Sequence, residues 1–167
     1  MPKIGVLSDT HGVLPEAVKD FFAGCDEIWH AGDVGNLSVL EQLAGIASVR
    51  AVHGNIDGQD VRSVAHAHTF FTCGGKRVLI KHVGGRPGAY TPETREQINA
   101  LRPDIFVCGH SHILLVQFNQ KNNLLHINPG AAGSSGFHKM ITMLRFQIND
   151  GNITNMEVWE KPRKALI

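Results

Sequence analysis

Two residues that bind divalent metal ions well stand close together near the start of the chain. Asp9 and His11 directly follow a short apolar run from Ile4 to Leu7, which predicts a buried strand. Side chains at positions i and i+2 of an extended chain point to the same side, so this carboxylate and this imidazole would leave the strand together. The combination predicts half of a metal site.

The same pattern recurs at four later positions. Apolar runs end at Asp33, at Asn55, at His82 and at His110, and His112 follows two residues further on. In open α/β sheets, ligand sites form at the carboxyl ends of strands, so the simplest hypothesis is that all seven side chains converge. One such pair is unspecific by itself, but five strand ends in order are hard to explain as unrelated core and capping residues.

The donor set is imidazole plus oxygen without thiolate, which suits manganese, iron, zinc or nickel better than a cysteine-rich zinc site. Seven ligands are too many for one ion with an open position, but they suit two ions if Asp33 bridges them. Two ions about 3.5–4 Å apart can clamp a phosphate and lower the pKa of a water toward about 7, which gives a hydroxide for in-line attack. The charge left on such a centre weakly favours a phosphodiester monoanion over a monoester dianion.

The predicted secondary structure that must position these residues changes along the chain from alternating strands and helices to hairpins. Up to Asn55 the pattern is β-α-β-α-β, with one helix over Pro15–Ala23 and a second from Leu37 to Ala44, which predicts neighbouring parallel strands. A hairpin with Gly74-Gly75 in its turn then delivers His82.

A third helix is predicted from Pro92, capped by Thr91, to about Leu101. From Ile113 onward, four apolar runs separated by turns predict antiparallel strands. We therefore predict one domain over residues 1–167 in which two sheets pack together with helices outside.

Composition excludes several classes of protein. The chain has 167 residues, 43% hydrophobic residues and a net charge of +1, so it lacks a basic field for non-specific nucleic-acid binding. It has neither a long apolar run nor a signal-peptide pattern, and three cysteines without C-x-x-C spacing fit a reducing compartment. We expect a cytoplasmic enzyme with a small phosphodiester substrate and no membrane association, and homo-oligomerisation stays open.

These motifs resemble those of a known family. The matching segments, in order, are Asp9-Thr10-His11, Gly32-Asp33, Gly54-Asn55, His82 and Gly109-His110-Ser111-His112. They are similar to the motifs of the calcineurin-like metallophosphoesterases. The short chain and its Asn128-Pro129-Gly130 turn resemble the small bacterial and archaeal phosphodiesterases of that superfamily. The resemblance implies an α/β fold, a four-layer αββα sandwich of two mixed β-sheets flanked by helices.

The resemblance also implies a division of the ligands between two ions. By the family pattern Asp9, His11 and His112 hold one metal, and Asn55, His82 and His110 hold the other, with Asp33 bridging. The two divalent transition-metal ions are expected to be manganese first, with nickel, iron or zinc as alternatives. Asp33, Asn55 and His110 are expected to act in catalysis, and the expected substrate contacts are Asn55, Arg86 and His138.

Three positions depart from the family pattern. Ile56 stands where many members have a histidine that assists the leaving group, and His53, His138 or Asp57 are candidates to replace it. The loss predicts weak turnover of poor leaving groups, because general-acid assistance contributes about 10²–10⁴-fold. Val83 replaces a common glycine. The glycine-rich stretch 131–138 is longer than usual, and its backbone amides could bind an anion.

Two other functions stay open at this point. The first is a non-catalytic binding module like the retromer subunit that is built on the same fold; the presence of His11 and of every other candidate ligand argues for catalysis instead. The second is a phosphomonoesterase or nucleotide pyrophosphatase. The leading hypothesis is a metal-dependent phosphodiesterase that uses a metal-bridging hydroxide at a dinuclear site.

Overall fold

The computed structural model describes residues 1–164 and contains two five-stranded β-sheets. In order across the first sheet, the strands are β12 (Asn152–Pro162), β11 (Met140–Asn149), β1 (Lys3–Leu7), β2 (Glu27–His30) and β3 (Ser48–Ala51). In order across the second, they are β4 (His68–Cys73), β5 (Lys76–Lys81), β8 (Ile105–Val107), β10 (Leu124–Pro129) and β9 (Leu114–Asn119).

A short hairpin and four helices complete the described part of the chain. The hairpin consists of β6 (Gly85–Arg86) and β7 (Ala89–Tyr90). The helices are α1 (Val18–Phe21), α2 (Leu37–Ala44), α3 (Gln59–Arg62) and α4 (Pro92–Leu101). None of these helices is long and apolar enough to cross a membrane.

Both sheets are mixed, as predicted. In the first, β1, β2 and β3 run parallel, while β11 is antiparallel to β1 and to β12. In the second, β5, β8 and β10 run parallel, with β4 and β9 antiparallel at the edges. The parallel strands therefore have their carboxyl ends at one edge of each sheet, which is where the candidate ligands follow.

The sheets bury one face against each other and the other against helices. Along β1, Ile4 and Val6 enter the core between the sheets, whereas Leu7 packs with the first two helices, because alternate residues of a strand face opposite sides. On the second sheet, Leu79 and Phe106 pack outward with Ile98 of α4. The order of layers is helix, sheet, sheet, helix, and the predicted αββα sandwich is confirmed.

The sequence predicted some helices better than others. Thr91 accepts a hydrogen bond from the Thr94 N–H and Pro92 occupies the first turn of α4, as expected. The helix expected over Pro15–Ala23 is only four residues long, because Ala17 at its start offers no side chain to cap the free N–H groups. Helix α3 and the β6–β7 hairpin were not predicted.

Candidate metal centre

The seven predicted ligands all lie in loops that follow strands β1, β2, β3, β5 and β8. Among the described residues, Asp9, His11 and His112 form one group whose ligand atoms lie within 4.8 Å of one another, and Asp33, His82 and His110 form a second. The seventh residue, Asn55, places its Oδ1 3.1 Å from His110 Nδ1. The fold thus brings all seven side chains together.

Asp33 stands between the two groups. Its Oδ2 lies 3.5 Å from His11 Nε2 of the first group and 3.2 Å from His82 Nε2 of the second. Asp9 Oδ1 lies 3.1 Å from His112 Nε2 and 3.8 Å from the Nε2 atoms of both His11 and His82. One Asp33 oxygen is therefore close to ligand atoms of both groups, which is the placement that a bridging carboxylate needs.

Several of these atoms are buried without a hydrogen-bond partner in the described part of the chain. They include Asp9 Oδ1, His11 Nε2 and His82 Nε2. A buried polar atom without a partner costs free energy, about 1–3 kcal/mol, unless something binds it. All three point into the same cluster of nitrogen and oxygen donors, so the residues present fit divalent metal ions.

The backbone is strained at the same positions. Five of the seven candidate ligands have φ in the left-handed region, from 46° to 72°: Asp9, His11, Asp33, His110 and His112. Residues other than glycine avoid this region, and where such strain collects it marks a functional site. This conformation bends the chain sharply in the loop after each strand, where the side chains meet at the common centre.

Two glycines of the sequence motifs have a steric reason. A Cβ on Gly54 would overlap Asp33 Oδ1, and a Cβ on Gly109 would lie 2.6 Å from Asp9 Oδ2. Both backbones therefore pass so close to the central carboxylates that no other residue fits without displacing them. The Gly-Asn and Gly-His pairs in the sequence reflect this close approach.

The site holds its carboxylates ionised. Burial raises the pKa of the Asp9 carboxyl, but contacts with His11 and His112 outweigh this and hold that pKa far below its usual range. Burial likewise opposes ionisation of Asp33, yet contact with His82 lowers its pKa. The nearby carboxylates in turn raise the pKa values of His11 and His82, the latter against its burial. Two buried carboxylates that attract protons to their imidazole neighbours would equally attract cations.

Hydrogen bonds fix which nitrogen of His82 and of His112 faces the centre. His82 Nδ1 lies 2.8 Å from the Ala31 carbonyl oxygen and must carry the proton, which leaves the Nε2 lone pair free for a metal. His138 donates from Nε2 to the Gly133 carbonyl at 2.8 Å, and its Nδ1 lies 3.1 Å from His112 Nδ1. His138 Nδ1 must then accept a hydrogen bond from His112 Nδ1–H, which leaves the lone pair of His112 Nε2 toward Asp9.

His30 joins the loops that carry the first ligands. Its Nδ1 accepts the Gly32 N–H at 3.1 Å, so its Nε2 donates to Thr10 Oγ1 at 2.9 Å. Thr10 Oγ1 donates in turn to the Val34 carbonyl at 2.8 Å. Burial lowers the pKa of His30 to about 4, which keeps the ring neutral for these bonds. His30 thus packs beside the site and holds its loops together.

Asp57 links the loops of Asp33 and Asn55. Its buried carboxylate accepts hydrogen bonds from the backbone N–H groups of Val34, Gly35 and Gly54, at 3.1, 2.8 and 2.8 Å. The sequence offered Asp57 only as a replacement acid, and the structure instead places it where it sets the spacing of two loops. A carboxylate two residues after the Asn ligand was the only available signal.

The other expected substrate contacts lie in different surroundings. Arg86 is exposed on the β6–β7 hairpin and borders the same cavity as His110. His138 is 9% exposed and has both ring nitrogens against protein atoms, so its expected contact with substrate does not fit this geometry. Ile56 exposes its side chain, while its backbone N–H donates to Asp33 Oδ1 at 3.1 Å.

None of the three candidates for the missing leaving-group histidine is free. Asp57 and His138 are occupied as described. His53 Nδ1 lies 2.9 Å from the Ala65 carbonyl oxygen and its Nε2 lies 3.2 Å from Arg62 Nη1. None of the residues that the sequence suggested therefore replaces the leaving-group histidine that is absent at Ile56.

Several known phosphoesterases are similar to this chain. Residues 2–151 match the model of the calcineurin-like phosphoesterase superfamily domain. A probable metallophosphoesterase of Methanothermobacter thermautotrophicus is 31% identical over 133 residues, which cover 77% of this chain and 76% of that protein. A phosphodiesterase of Methanocaldococcus jannaschii is 27% identical over 144 residues, with 77% of this chain and 82% of that protein covered.

Solved structures share the fold at lower identity. A predicted phosphoesterase of Streptococcus pneumoniae superimposes with a TM-score of 0.69 at 21% identity, over 97% of this chain and 90% of that one. The vacuolar protein sorting 29 protein of Entamoeba histolytica, solved as a zinc complex, gives a TM-score of 0.76 at 17% identity, over 97% and 99%. At such identities the likeness establishes the fold alone.

Proposed function

Because the chain belongs to the calcineurin-like phosphoesterase superfamily, we propose that it is a metal-dependent phosphodiesterase with a dinuclear centre. The observation that carries the proposal is the position of Asp33 Oδ2, 3.5 Å from His11 Nε2 in one ligand group and 3.2 Å from His82 Nε2 in the other. A single carboxylate within reach of two complete donor groups supports two ions rather than one.

We expect the ligands to divide as the family pattern implies. Asp9, His11 and His112 would hold one ion; Asn55, His82 and His110 would hold the other; and Asp33 would contact both. When bound, two divalent ions lower the pKa of a water toward about 7 and neutralise charge on a phosphate. Manganese is the first choice among them, because nitrogen and oxygen ligands without thiolate suit it, and nickel, iron and zinc are alternatives.

The protein's own residues orient the substrate and the ligands. Asn55 and His110 are exposed, so they border the space where a phosphate would enter. The backbone N–H of Ile56 holds the Asp33 carboxylate, and His82 and His112 are fixed in one tautomer by the Ala31 carbonyl and by His138. These groups would keep the donors in place during the reaction.

The exposed apolar side chain of Ile56 limits the range of leaving groups. It cannot donate a proton, and the neighbouring His53 and Asp57 are held by other protein atoms. Leaving groups that depart as stable anions, such as nitrophenolate, should therefore react best. Alkoxide leaving groups should react about 10²–10⁴-fold more slowly than an enzyme with a general acid would allow.

Three buried free thiols support a reducing, cytoplasmic location for this enzyme. Burial raises the pKa of the Cys108 thiol to about 12, which keeps it protonated and unreactive. The cysteines therefore contribute to packing and leave the chemistry to the nitrogen and oxygen ligands.

The substrate class is tested by a pair of esters with the same leaving group. Manganese-loaded protein is assayed with bis(4-nitrophenyl) phosphate and with 4-nitrophenyl phosphate, and we expect the higher kcat/KM for the diester. A higher value for the monoester would make the protein a phosphomonoesterase. Metal-loaded protein that hydrolyses neither ester would contradict the proposal and favour a binding module.

A further inference from the structure

A cavity of about 440 Å³ lies beside the candidate metal centre, on the outer face of the second sheet. The β6–β7 hairpin forms one side of it, and the segment from Gly109 to Ile113 forms another. His126 and Asn128 of strand β10 also line it. His110 belongs both to this cavity and to the second ligand group, so the cavity opens directly from the place where a phosphate would bind.

The polar groups of the cavity wall are already bonded within the protein. His126 Nδ1 lies 2.9 Å from the Tyr90 hydroxyl, and burial lowers the pKa of the ring to about 4, so it is uncharged. The Asn128 amide donates to Gly109 O at 3.1 Å and to Ser111 Oγ at 3.0 Å, while its Oδ1 accepts the Gly130 N–H. These groups have little capacity left for a charged ligand.

The apolar side of the cavity is open. Ile113 is 67% exposed although it is a large apolar residue, and Leu115 lines the cavity two residues further along. Together they present an apolar surface beside the candidate site. Arg86 is the only permanently charged lining residue, and among the described residues it makes no ion pair, so its guanidinium can pair with a phosphate oxygen.

A second cavity borders His82 and is lined by more charged side chains than the first. It measures about 550 Å³ and is lined by Asn55 and His82 together with Arg62, Lys81 and Glu93. Placing an uncharged ring there would take charged groups out of water without replacing their contacts, which is costly. Of the two cavities that border the second ligand group, the one beside Ile113 suits an uncharged organic group better.

In-line displacement treats the two ester groups of a phosphodiester differently. The leaving group departs on the side opposite the attacking oxygen, whereas the second ester group stays on the phosphate. The cavity beside Ile113 is lined by His110 of the second ligand group, so an ester group that stays on a phosphate held there would be within reach of it.

We propose that this cavity binds the retained ester group of the phosphodiester, an uncharged group of the size of a ring, and that Ile113 and Leu115 determine this specificity. The inference rests on the proposed phosphodiesterase function. A volume of about 440 Å³ is within the range of small-molecule sites and exceeds what a methyl ester needs.

Two diesters with the same leaving group test the proposal on the manganese-loaded protein. Phenyl 4-nitrophenyl phosphate retains a ring, and methyl 4-nitrophenyl phosphate retains a methyl group. We expect the ratio of their kcat/KM values to favour phenyl by about 10-fold or more, from the apolar area that the ring buries. In Ile113→Asn, and in Ala89→Phe, which fills the cavity, the ratio should fall to within about 3-fold of unity.

The matched control is Val116→Asn. Val116 is an exposed apolar residue of the same strand as Leu115 but does not line the cavity, so its ratio should equal that of the unaltered protein. If the unaltered protein and the three variants all turned over the two diesters with the same kcat/KM ratio, the inference would be overturned and the proposed function would stand. The cavity would then suit an apolar segment of a protein instead. No turnover of either diester by the unaltered protein would contradict the proposed function itself, and the inference with it.

Discussion

At the scale of residues, the candidate centre depends on groups that bind no metal themselves. The Asp57 carboxylate accepts hydrogen bonds from three backbone N–H groups in the loops of Asp33 and Asn55. His138 orients His112 through a hydrogen bond that fixes its tautomer. Outer contacts of this kind typically change metal affinity by about 10–100-fold when they are lost.

Replacing Asp57 by alanine should weaken metal binding. The change leaves three N–H groups without their acceptor, so the Asp33 and Asn55 loops lose their fixed spacing and manganese affinity should fall about 10–100-fold. Isothermal titration of metal-free protein with manganese measures this directly. Asp57→Asn, which keeps one acceptor oxygen, should lose less. Asp60→Ala removes an exposed carboxylate three residues along the chain and should bind manganese like the unaltered protein; equal affinity in Asp57→Ala would refute the role of Asp57.

Sequence reasoning selected the seven candidate ligands, which the fold brings together, because each follows an apolar run and is of a metal-binding type. It missed the loop-linking role of Asp57 because two of the three groups that this carboxylate binds, Val34 and Gly35, lie more than twenty residues away in sequence. It assigned His138 to the substrate because the sequence does not show that this ring lies beside His112, 26 residues away. Only the fold shows that this ring lies between His112 and Gly133.

At the scale of elements, close packing ties the first helix to the first sheet. Gly5 of β1 faces α1, and a Cβ added there would lie 2.7 Å from the ring of Phe22, which is fully buried. Strand β1 leads directly to Asp9 and His11. The distance between helix and sheet at this point therefore helps to position the first two candidate ligands.

Gly5→Ala should destabilise the protein by about 1–3 kcal/mol, because the added methyl group overpacks a filled core. Urea unfolding measures the change. The control introduces Gly5→Ala into a Phe22→Leu background. Because leucine is smaller and relieves the contact, Gly5→Ala should lower the free energy of unfolding less there than in the unaltered protein. An equal penalty in both backgrounds would show that Phe22 is not the cause.

The strands were predicted more closely than the short elements. Alternation of apolar residues and turn residues such as Gly74 and Gly75, both with positive φ, located the β4–β5 hairpin. Helix α3 and the β6–β7 hairpin have four and two-plus-two residues, which is too short for a period to be visible. Tertiary contacts, such as that of Cys108 Sγ with the Gly85 carbonyl oxygen at 3.7 Å, help to fix the hairpin.

At the scale of the whole molecule, buried neutral histidines make stability depend on pH. Burial lowers the pKa of His126 in the folded protein from 6.5 to about 4. Between these values the unfolded chain binds a proton that the folded protein does not. The contribution of His126 to stability is therefore complete above pH 6.5 and decreases as the pH falls toward 4.

For the metal-free protein, this group alone should lower the free energy of unfolding by about 2 kcal/mol between pH 7 and pH 5. His126→Asn cannot titrate in this range and should lose correspondingly less stability over the same interval. Urea unfolding of both proteins at the two pH values checks the difference. His30, whose pKa is also about 4, is present in both and cancels from the comparison. The same loss in both proteins would exclude His126 as the source.

The measurement that tests the account most directly is a manganese titration of chelator-treated protein, with bound metal and hydrolysis of bis(4-nitrophenyl) phosphate followed together. We predict no turnover without metal and maximal turnover at two manganese ions per chain. Asp33→Asn should lose at least about 100-fold in turnover, and Asp20→Asn, which alters an exposed carboxylate on α1, should lose none. Turnover that survives metal removal, or full manganese-dependent turnover in Asp33→Asn, would contradict the account.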